Sequence, residues 1–438
     1  MINSVMLQVN SFCNLSCKHC FYQSEDLDIL QLDYDRAVGI INKLLKEGLT
    51  SISFTFKEPL LNFEVFRILE YCKKKKIKTN LLTNGILLEK YTKNILSTNI
   101  TSLGVSLDGI DAETNDLIRG NGSYDKVIIG IKKFLNDRIL LKRYIPIIIY
   151  LTINGLNKSQ MSNIPYIFND LGVDKLVINT IDTSIGAAKS NENLIKKHVN
   201  SYEIIARSYS KLKDKRLLIE LATSPLEIMY YNLKYGLNLI HTIPNCGIIS
   251  NTYHINAAGD FSLCFVDDIR CNKKNTYNIF SNLDDFYKMR HKFLCSYKNT
   301  KDMQIECQIC QFNAYCYPCY LKEDAFIKFR LNCYKYMEEI NKYLRTIYNN
   351  LENYIISAKI TSYFEEQGET TKFVNLTSEG LPDITIIKNL SKRNKETIKK
   401  IFKQSTVKLD EICKEDLDFL NFLVSTNCFN LRRVKNGF

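Results

Sequence analysis

Two periods of apolar and polar residues take turns along the first part of the chain. Short runs dense in Val, Ile and Leu recur at 5–9, 51–55, 78–82, 102–107, 145–152 and 175–179, and each reads as a β-strand. Between them apolar residues return every three or four positions, predicting helices over 34–47, 63–75, 88–96, 124–136 and 158–171. Such β-α alternation predicts a parallel sheet, open or partly closed as a barrel, with its site at the carboxyl ends of the strands. Polar residues gather at those ends. Lys57, Glu58 and Pro59 follow the second strand, Thr83, Asn84 and Gly85 the third, and Asp108 and Gly109 the fourth. After the first strand come Cys13, Cys17, Cys20, Phe21 and Tyr22.

Farther on the pattern changes. Residues 190–245 read as a largely helical bridge, cysteine becomes dense between Cys246 and Cys333, and 334–358 reads as one long helix. The tail predicts a short strand at 383–387, helices at 394–403 and 415–423, and a closing strand at 429–434. The expected organisation is a core at 1–182, a bridge at 183–245, a cysteine-rich domain at 246–335, and a C-terminal helix with a small α+β extension at 336–438. No internal repeat is visible.

Composition narrows the setting. A chain of 438 residues exceeds one small core. Its fifteen cysteines would imply disulfides in a secreted protein, but no charged start, apolar core and small-residue cleavage site opens the sequence, so a reducing cytoplasm is expected. The most apolar stretch, 139–156, is broken by Lys142, Arg143 and Pro146 and reads as a buried strand, so no membrane is expected. The formal charge of +12 counts every cysteine as neutral. Three clusters ligated by three, four and four thiolates would bring it to roughly +7. The densest basic run, Lys73 to Lys76, closes a predicted helix, where lysine complements the macrodipole. No interleaving of aromatic and basic residues points to nucleic acid.

The first cysteine triplet carries the chemistry. Spacings of three and two residues place Cys13, Cys17 and Cys20 on one compact loop, one thiol short of an ordinary structural zinc site. Three thiolates leave one iron of a 4Fe-4S cluster open, as a catalytic metal keeps a free position.

On these residues the chain resembles the radical S-adenosylmethionine (SAM) enzymes over roughly its first 335 residues. The resemblance implies a partial (β/α)6 barrel in which Cys13, Cys17 and Cys20 hold the reducing cluster, and Phe21 and Tyr22 pack near the adenine. Segment 54–59 stands where the family has a strand ending in two glycines, glutamate and proline, so Glu58 marks the receptor for the amino end of SAM. Ser106, in segment 104–109, corresponds to the ribose contact. Arg119, in segment 115–120, corresponds to the residue facing the SAM carboxylate. Phe56 and Lys57 replace the two glycines. Either the amino-end pocket is reshaped with Lys57 turned away, or Lys57 displaces the SAM amino group and impairs the enzyme.

The later cysteines resemble the SPASM extension of peptide-modifying members. By that resemblance Cys307, Cys310, Cys316 and Cys333 hold one auxiliary 4Fe-4S cluster, and Cys246, Cys264 and Cys319 another. The fourth ligand of the second is Cys271, Cys295 or an open iron. Cys316 and Cys319 are separated by two residues where the family has three. Read without the resemblance, Cys307, Cys310, Cys316 and Cys319 also suit a zinc site of four thiolates, over a short loop. Cys72, Cys413 and Cys428 read as packing, His19 as a residue behind or outside the ligands, and Asp260 as a proton acceptor or plain turn chemistry after Gly259.

The implied function is a radical SAM oxidoreductase that abstracts hydrogen from a residue of a ribosomally made, Cys-rich peptide or protein, giving a thioether, crosslink or oxidised residue. Its electrons come from a low-potential donor such as flavodoxin or ferredoxin. Two alternatives stay open: a sulfatase-maturating type of enzyme, and a non-catalytic iron-sulfur or electron-transfer protein with a decayed SAM site. No side chain is singled out as the catalytic base.

Overall fold

The structure is a computed structural model that describes residues 2–21, 30–181, 187, 192–195, 201–241, 251–263, 277–281, 283–302, 323–351, 354–358, 362–367, 370–376, 382–388, 391–404, 406–411, 423 and 429–433. The chain divides into two compact units, Met1–Ala222 with Asn245–Met303, and Thr223–Pro244 with Gln304–Phe438.

The first unit opens with the expected alternation. Strands β1 (Ser4–Leu7), β2 (Ser51–Phe54), β3 (Lys78–Thr83), β4 (Ser102–Ser106), β5 (Ile147–Ile153), β6 (Lys175–Thr180) and β7 (Leu218–Leu221) pair in parallel, each with the next. Helices α1 (Tyr34–Lys46), α2 (Val65–Lys74), α3 (Leu88–Ser97), α4 (Ala112–Arg119), α5 (Ser123–Leu140), α6 (Ile164–Leu171), α7 (Glu192–Ile195) and α8 (Ser201–Ser210) lie between them in sequence. Helix α1 shows why the periods were legible. Asp33 caps it by accepting from the Arg36 amide, and Ala37, Ile40, Ile41 and Leu44 turn one face into the core. Strand β5 is buried at Ile147, Ile148, Ile149, Leu151 and Ile153, as a parallel strand covered on both faces must be.

Sequence periodicity missed two elements here. Strand β7 has only four residues and lies inside the stretch read as helical; pairing with β6, not its own pattern, makes it a strand. Helix α4 is a two-turn helix capped by Asp111, which accepts from the Thr114 amide. Residues 139–156 divide between the end of α5, where Ile139 and Leu140 are exposed, and buried β5. No helix among the described residues is long and apolar enough to cross a membrane. Lys73 to Lys76 are exposed at the end of α2, where cations meet the negative helix terminus.

The chain next contributes α9 (Pro225–Tyr235) and β8 (Ile240–His241) to the second unit. It then returns to the first with β9 (Thr252–Ile255), β10 (Asp260–Ser262), β11 (Tyr277–Asn278) and α10 (Leu283–Asp302). Strand β9 pairs in parallel with the outer edge of β1, and β10 and β11 continue antiparallel, so the order is β11-β10-β9-β1-β2-β3-β4-β5-β6-β7. With β9 beside it, β1 does not meet β6 and the sheet stays open. Asp260 serves this hairpin: its amide donates to Asn256 Oδ1, and its carboxylate accepts from Asn256 and Asn278.

In the second unit α9 packs on α11 (Glu323–Tyr348). Buried Glu227 accepts from the hydroxyls of Tyr231 at 2.7 Å and Tyr336 at 2.9 Å, and from Thr223. The predicted helix over 334–358 stops at Tyr348; β12 (Tyr354–Ala358) follows and pairs antiparallel with both later strands of its sheet, β16 (Val407–Lys408) and β17 (Phe429–Arg433). Between them lie β13 (Ser362–Gln367), β14 (Thr370–Leu376) and β15 (Pro382–Lys388), an antiparallel meander, and helix α12 (Lys392–Lys403). Strands β13 and β14 had no sequence-based counterpart, because polar and charged residues dilute their alternation. The predicted helix at 415–423 lies outside the described residues except for residue 423.

Candidate radical site

The cysteine loop leaves the carboxyl end of β1 and is tied down on two sides. Asn10 donates from Nδ2 to Glu58 O at 2.8 Å and its Oδ1 accepts from the Phe12 amide at 3.3 Å. Opposite, the Lys18 amide donates to Ile118 O at 2.9 Å, and Cys17 Sγ lies 3.9 Å from Arg119 O, so the loop rests on the end of α4. The turn before α4 needs Gly109, because a Cβ there would stand 2.6 Å from the Asn115 amide nitrogen. Gly120 closes α4 at φ 125, a conformation open to glycine alone among common residues.

Burial pushes the thiol of Cys17 up to about 11, and charge on Cys20 and Cys13 adds to the rise. Burial also raises Cys13, against lowering contacts from the Leu15 amide and Asn84. Cys13 and Cys17, half-buried thiols whose pKa burial raises, need compensating positive charge to ionise. A cluster of iron supplies it, so this donor set fits a three-thiolate cluster. No three His, Cys, Asp or Glu side chains among the described residues converge on one point as a single ion requires. Cys72 is fully buried in α2, where burial pushes its thiol up to about 12, and it acts as a small apolar side chain.

Glu58 is fully buried, and its carboxylate is occupied by the chain itself. Oε1 accepts from the Leu60 amide at 3.0 Å and Thr83 Oγ1 at 2.7 Å, and Oε2 accepts from the Asn84 amide at 2.7 Å. Burial pushes its carboxyl up to about 7 against these three donors. Glu58 thereby clamps the end of β2 to the end of β3. Just before it, Phe56 and Lys57 hold φ of 67 and 52, the left-handed region that glycine enters freely. Two consecutive non-glycine residues thus hold a backbone conformation that glycine adopts without strain. The Phe56 ring meets His254 edge-on at 4.6 Å and Phe21 at 6.3 Å, joining the cysteine loop to β9 through aromatic contacts.

This strain is measurable. A left-handed non-glycine residue costs roughly 1–2 kcal/mol, and a β-branched one more. Lys57→Gly is therefore expected to be at least as stable as the natural chain, and Lys57→Val less stable than Lys57→Gly by about 2 kcal/mol, read from thermal midpoints. Equal midpoints for the Gly and Val variants would rule out a left-handed residue 57.

Arg119 and Asp108 form the charged part of the site. Asp108, fully buried, accepts at Oδ1 from the Thr152 amide at 2.7 Å and faces Arg119 Nε at 2.6 Å through Oδ2; His19 Nε2 lies 3.3 Å from the same oxygen. Burial alone would lower the Arg119 pKa, but Asp108 and Cys17 raise it, so the guanidinium stays charged. Burial lowers His19 despite Asp108, leaving a neutral ring behind the cysteine loop. Ser106 ends β4 beside Tyr150 of β5. Sequence reasoning placed Asp108 and Asn84 at strand ends without a role; a polar residue directly after an apolar strand was the available signal.

Tyr22, Cys246, Cys264, Cys271, Cys307, Cys310, Cys316, Cys319, Cys413 and Cys428 lie outside the described residues, and with them the zinc alternative. Cys295 is exposed on α10, with Sγ 3.7 Å from His291 Nε2. Cys333, on α11, sits 3.1 Å from Ser224 Oγ in the second unit.

Residues 7–163 match the Radical SAM superfamily. Among curated proteins, the chain is 27% identical over 219 residues to the Fe-coproporphyrin III synthase of Methanosarcina barkeri, covering 48% of this chain and 52% of that protein. It thus spans about half the length of that relative. Among solved structures, SuiB of Streptococcus suis bound to precursor peptide SuiA is similar at 17% identity and a TM-score of 0.56, over 73% of this chain and 72% of SuiB. Native anSMEcpe with bound AdoMet and Kp18Cys peptide is similar at 18% identity and a TM-score of 0.53, over 72% of this chain and 87% of that one. Residues 7–163 thus carry the likeness to the Radical SAM superfamily, and the three-cysteine loop, Glu58, Asp108 and Arg119 all lie within that matched segment.

Proposed function

We propose that this protein is a radical SAM maturase that removes hydrogen from a side chain of a ribosomally made peptide or protein. The observation that carries the reading is the half-buried loop of Cys13, Cys17 and Cys20, set at the carboxyl ends of a parallel sheet beside a charged Arg119. When bound, a 4Fe-4S cluster supplies the electron that splits SAM into methionine and a 5′-deoxyadenosyl radical. The chain's own residues bind and orient. Arg119, steadied by Asp108, takes the SAM carboxylate through charge-assisted hydrogen bonds. The left-handed backbone at Phe56 and Lys57, fixed from below by Glu58, receives the amino end, since the Glu58 carboxylate is already engaged. Ser106 serves the ribose, and Phe21 with Tyr22 the adenine.

A peptide substrate is supported by the two solved structures above, each holding a peptide. In this reading Cys246, Cys264, Cys307, Cys310, Cys316, Cys319 and Cys333 would hold auxiliary clusters, which would supply an acceptor for the second electron lost when a thioether, crosslink or oxidised residue forms. A flavodoxin or ferredoxin supplies the first. The antiparallel meander of β13, β14 and β15 offers strand edges to which a peptide can add.

The test uses the full chain, reconstituted anaerobically, with SAM, dithionite and synthetic peptides from short reading frames beside its gene. We expect 5′-deoxyadenosine above the peptide-free level and a peptide lighter by two hydrogens in mass spectra. A fully loaded protein that never cleaves SAM would return the decayed-site alternative.

A further inference from the structure

We infer that Asn84, held by Glu58, is a positioning residue that sets the electron affinity of the cluster through the sulfur of Cys13. The backbone N–H and both side-chain polar atoms of Asn84 are committed. Its amide N–H donates to Glu58 Oε2 at 2.7 Å, its Oδ1 accepts from the Ile86 amide at 3.0 Å, and its Nδ2 donates to Asn14 Oδ1 at 2.7 Å and to Cys13 Sγ at 3.5 Å. The residue is 7% exposed, so these bonds face little competition from water. Two consecutive backbone positions fix it: Glu58 also holds Thr83 Oγ1, whose oxygen in turn accepts from the Gly85 amide at 3.1 Å. Gly85 then turns at φ 81, with Val105 and Val127 too close for any Cβ. The end of β3 is therefore held on several sides, and the Asn84 side-chain amide directs its donor at the Cys13 sulfur.

A donor on a ligating sulfur draws electron density from the metal and stabilises the reduced, more negative state, which is how hydrogen bonds to sulfur tune such centres. Glu58 acts through this link, well away from the sulfur itself. The inference rests on the reading of Cys13 as a cluster ligand, and the two are separable by experiment.

Asn84→Asp keeps the size, the amide bond to Glu58 and the acceptor for Ile86, but removes the donor. Asn84→Ala removes the whole side chain. With the full chain reconstituted anaerobically, EPR-monitored redox titration of the Cys13, Cys17 and Cys20 cluster is made without SAM, in a background where Cys333 and the other later cysteines are intact. The midpoint is expected to shift negative in Asn84→Ala and further negative in Asn84→Asp. Unchanged midpoints in both variants would overturn the inference. If neither variant holds the cluster while the thermal midpoint of the iron-free chain is unaltered, Asn84 serves assembly of the cluster and not its electron affinity, and the inference fails. If cluster and thermal midpoint are lost together, Asn84 serves the fold and the inference fails. A natural chain that binds no cluster at Cys13, Cys17 and Cys20 would instead defeat the reading beneath it.

Discussion

Replacing Cys13, Cys17 and Cys20 together by alanine should abolish SAM cleavage and remove about four iron atoms per reconstituted chain. The effect is expected to be all-or-none because, in the proposed reading, the three thiols share one loop and would each hold one iron, so losing all three would leave the cluster without protein ligands. Burial and mutual repulsion keep Cys17 protonated up to about 11 when no metal compensates, so the loop has little use for its thiols except as ligands. The comparison variant is Cys72→Ala. That thiol is enclosed in α2, away from the loop, and its removal should leave the iron content unchanged. Iron assay together with 5′-deoxyadenosine measured by mass spectrometry reads both. A triple variant that keeps its iron would remove the loop from the chemistry altogether.

Asp108→Asn should be the most damaging single change outside the cysteines. Asparagine still accepts from the Thr152 amide, so the local backbone is preserved, but the Arg119 guanidinium is left buried without its counter-charge. Breaking a buried pair from one side costs about 3–5 kcal/mol. Arg119→Met removes the stranded charge, so the double variant Asp108→Asn, Arg119→Met should be more stable than Asp108→Asn alone. Thermal midpoints of the iron-free chains measure this, and SAM affinity of the reconstituted chains measures the second consequence. Asp108→Asn should bind SAM more weakly, since Arg119 then loses the contact that aims it. Strictly additive thermal effects would show that Asp108 and Arg119 do not work as a pair.

Much of the first unit was legible in the chain because its strands carry one of two apolar patterns. β4, β5 and β6 hold runs of consecutive buried residues, whereas β1, β2 and β3 alternate buried with partly exposed positions; helices α1, α2 and α3 each bury one apolar face. The cysteine triplet was legible for a similar reason, since a cluster held from one loop forces its ligands close together in sequence. Where local pattern is weak the reading stopped. Strand β7 has four residues and takes its conformation from β6, and β12 was read into the helix before it, although its two antiparallel partners come from much later in the chain.

What only the tertiary structure decided is the wiring of the site. The sequence alone marks Glu58 and Asp108 as polar residues at strand ends, and resemblance assigns Glu58 and Arg119 to SAM. It cannot show that Glu58 spends its carboxylate on Leu60, Thr83 and Asn84, that Asp108 neutralises Arg119, or that Asn84 reaches Cys13 across 71 positions. Nor does it show that Phe56 and Lys57 both take left-handed backbone conformations. Periodicity encodes which residues leave water, a property each segment carries by itself. Hydrogen bonds and ion pairs between distant segments depend on the register of β2, β3 and β4 against one another, and that register exists only once the sheet has formed.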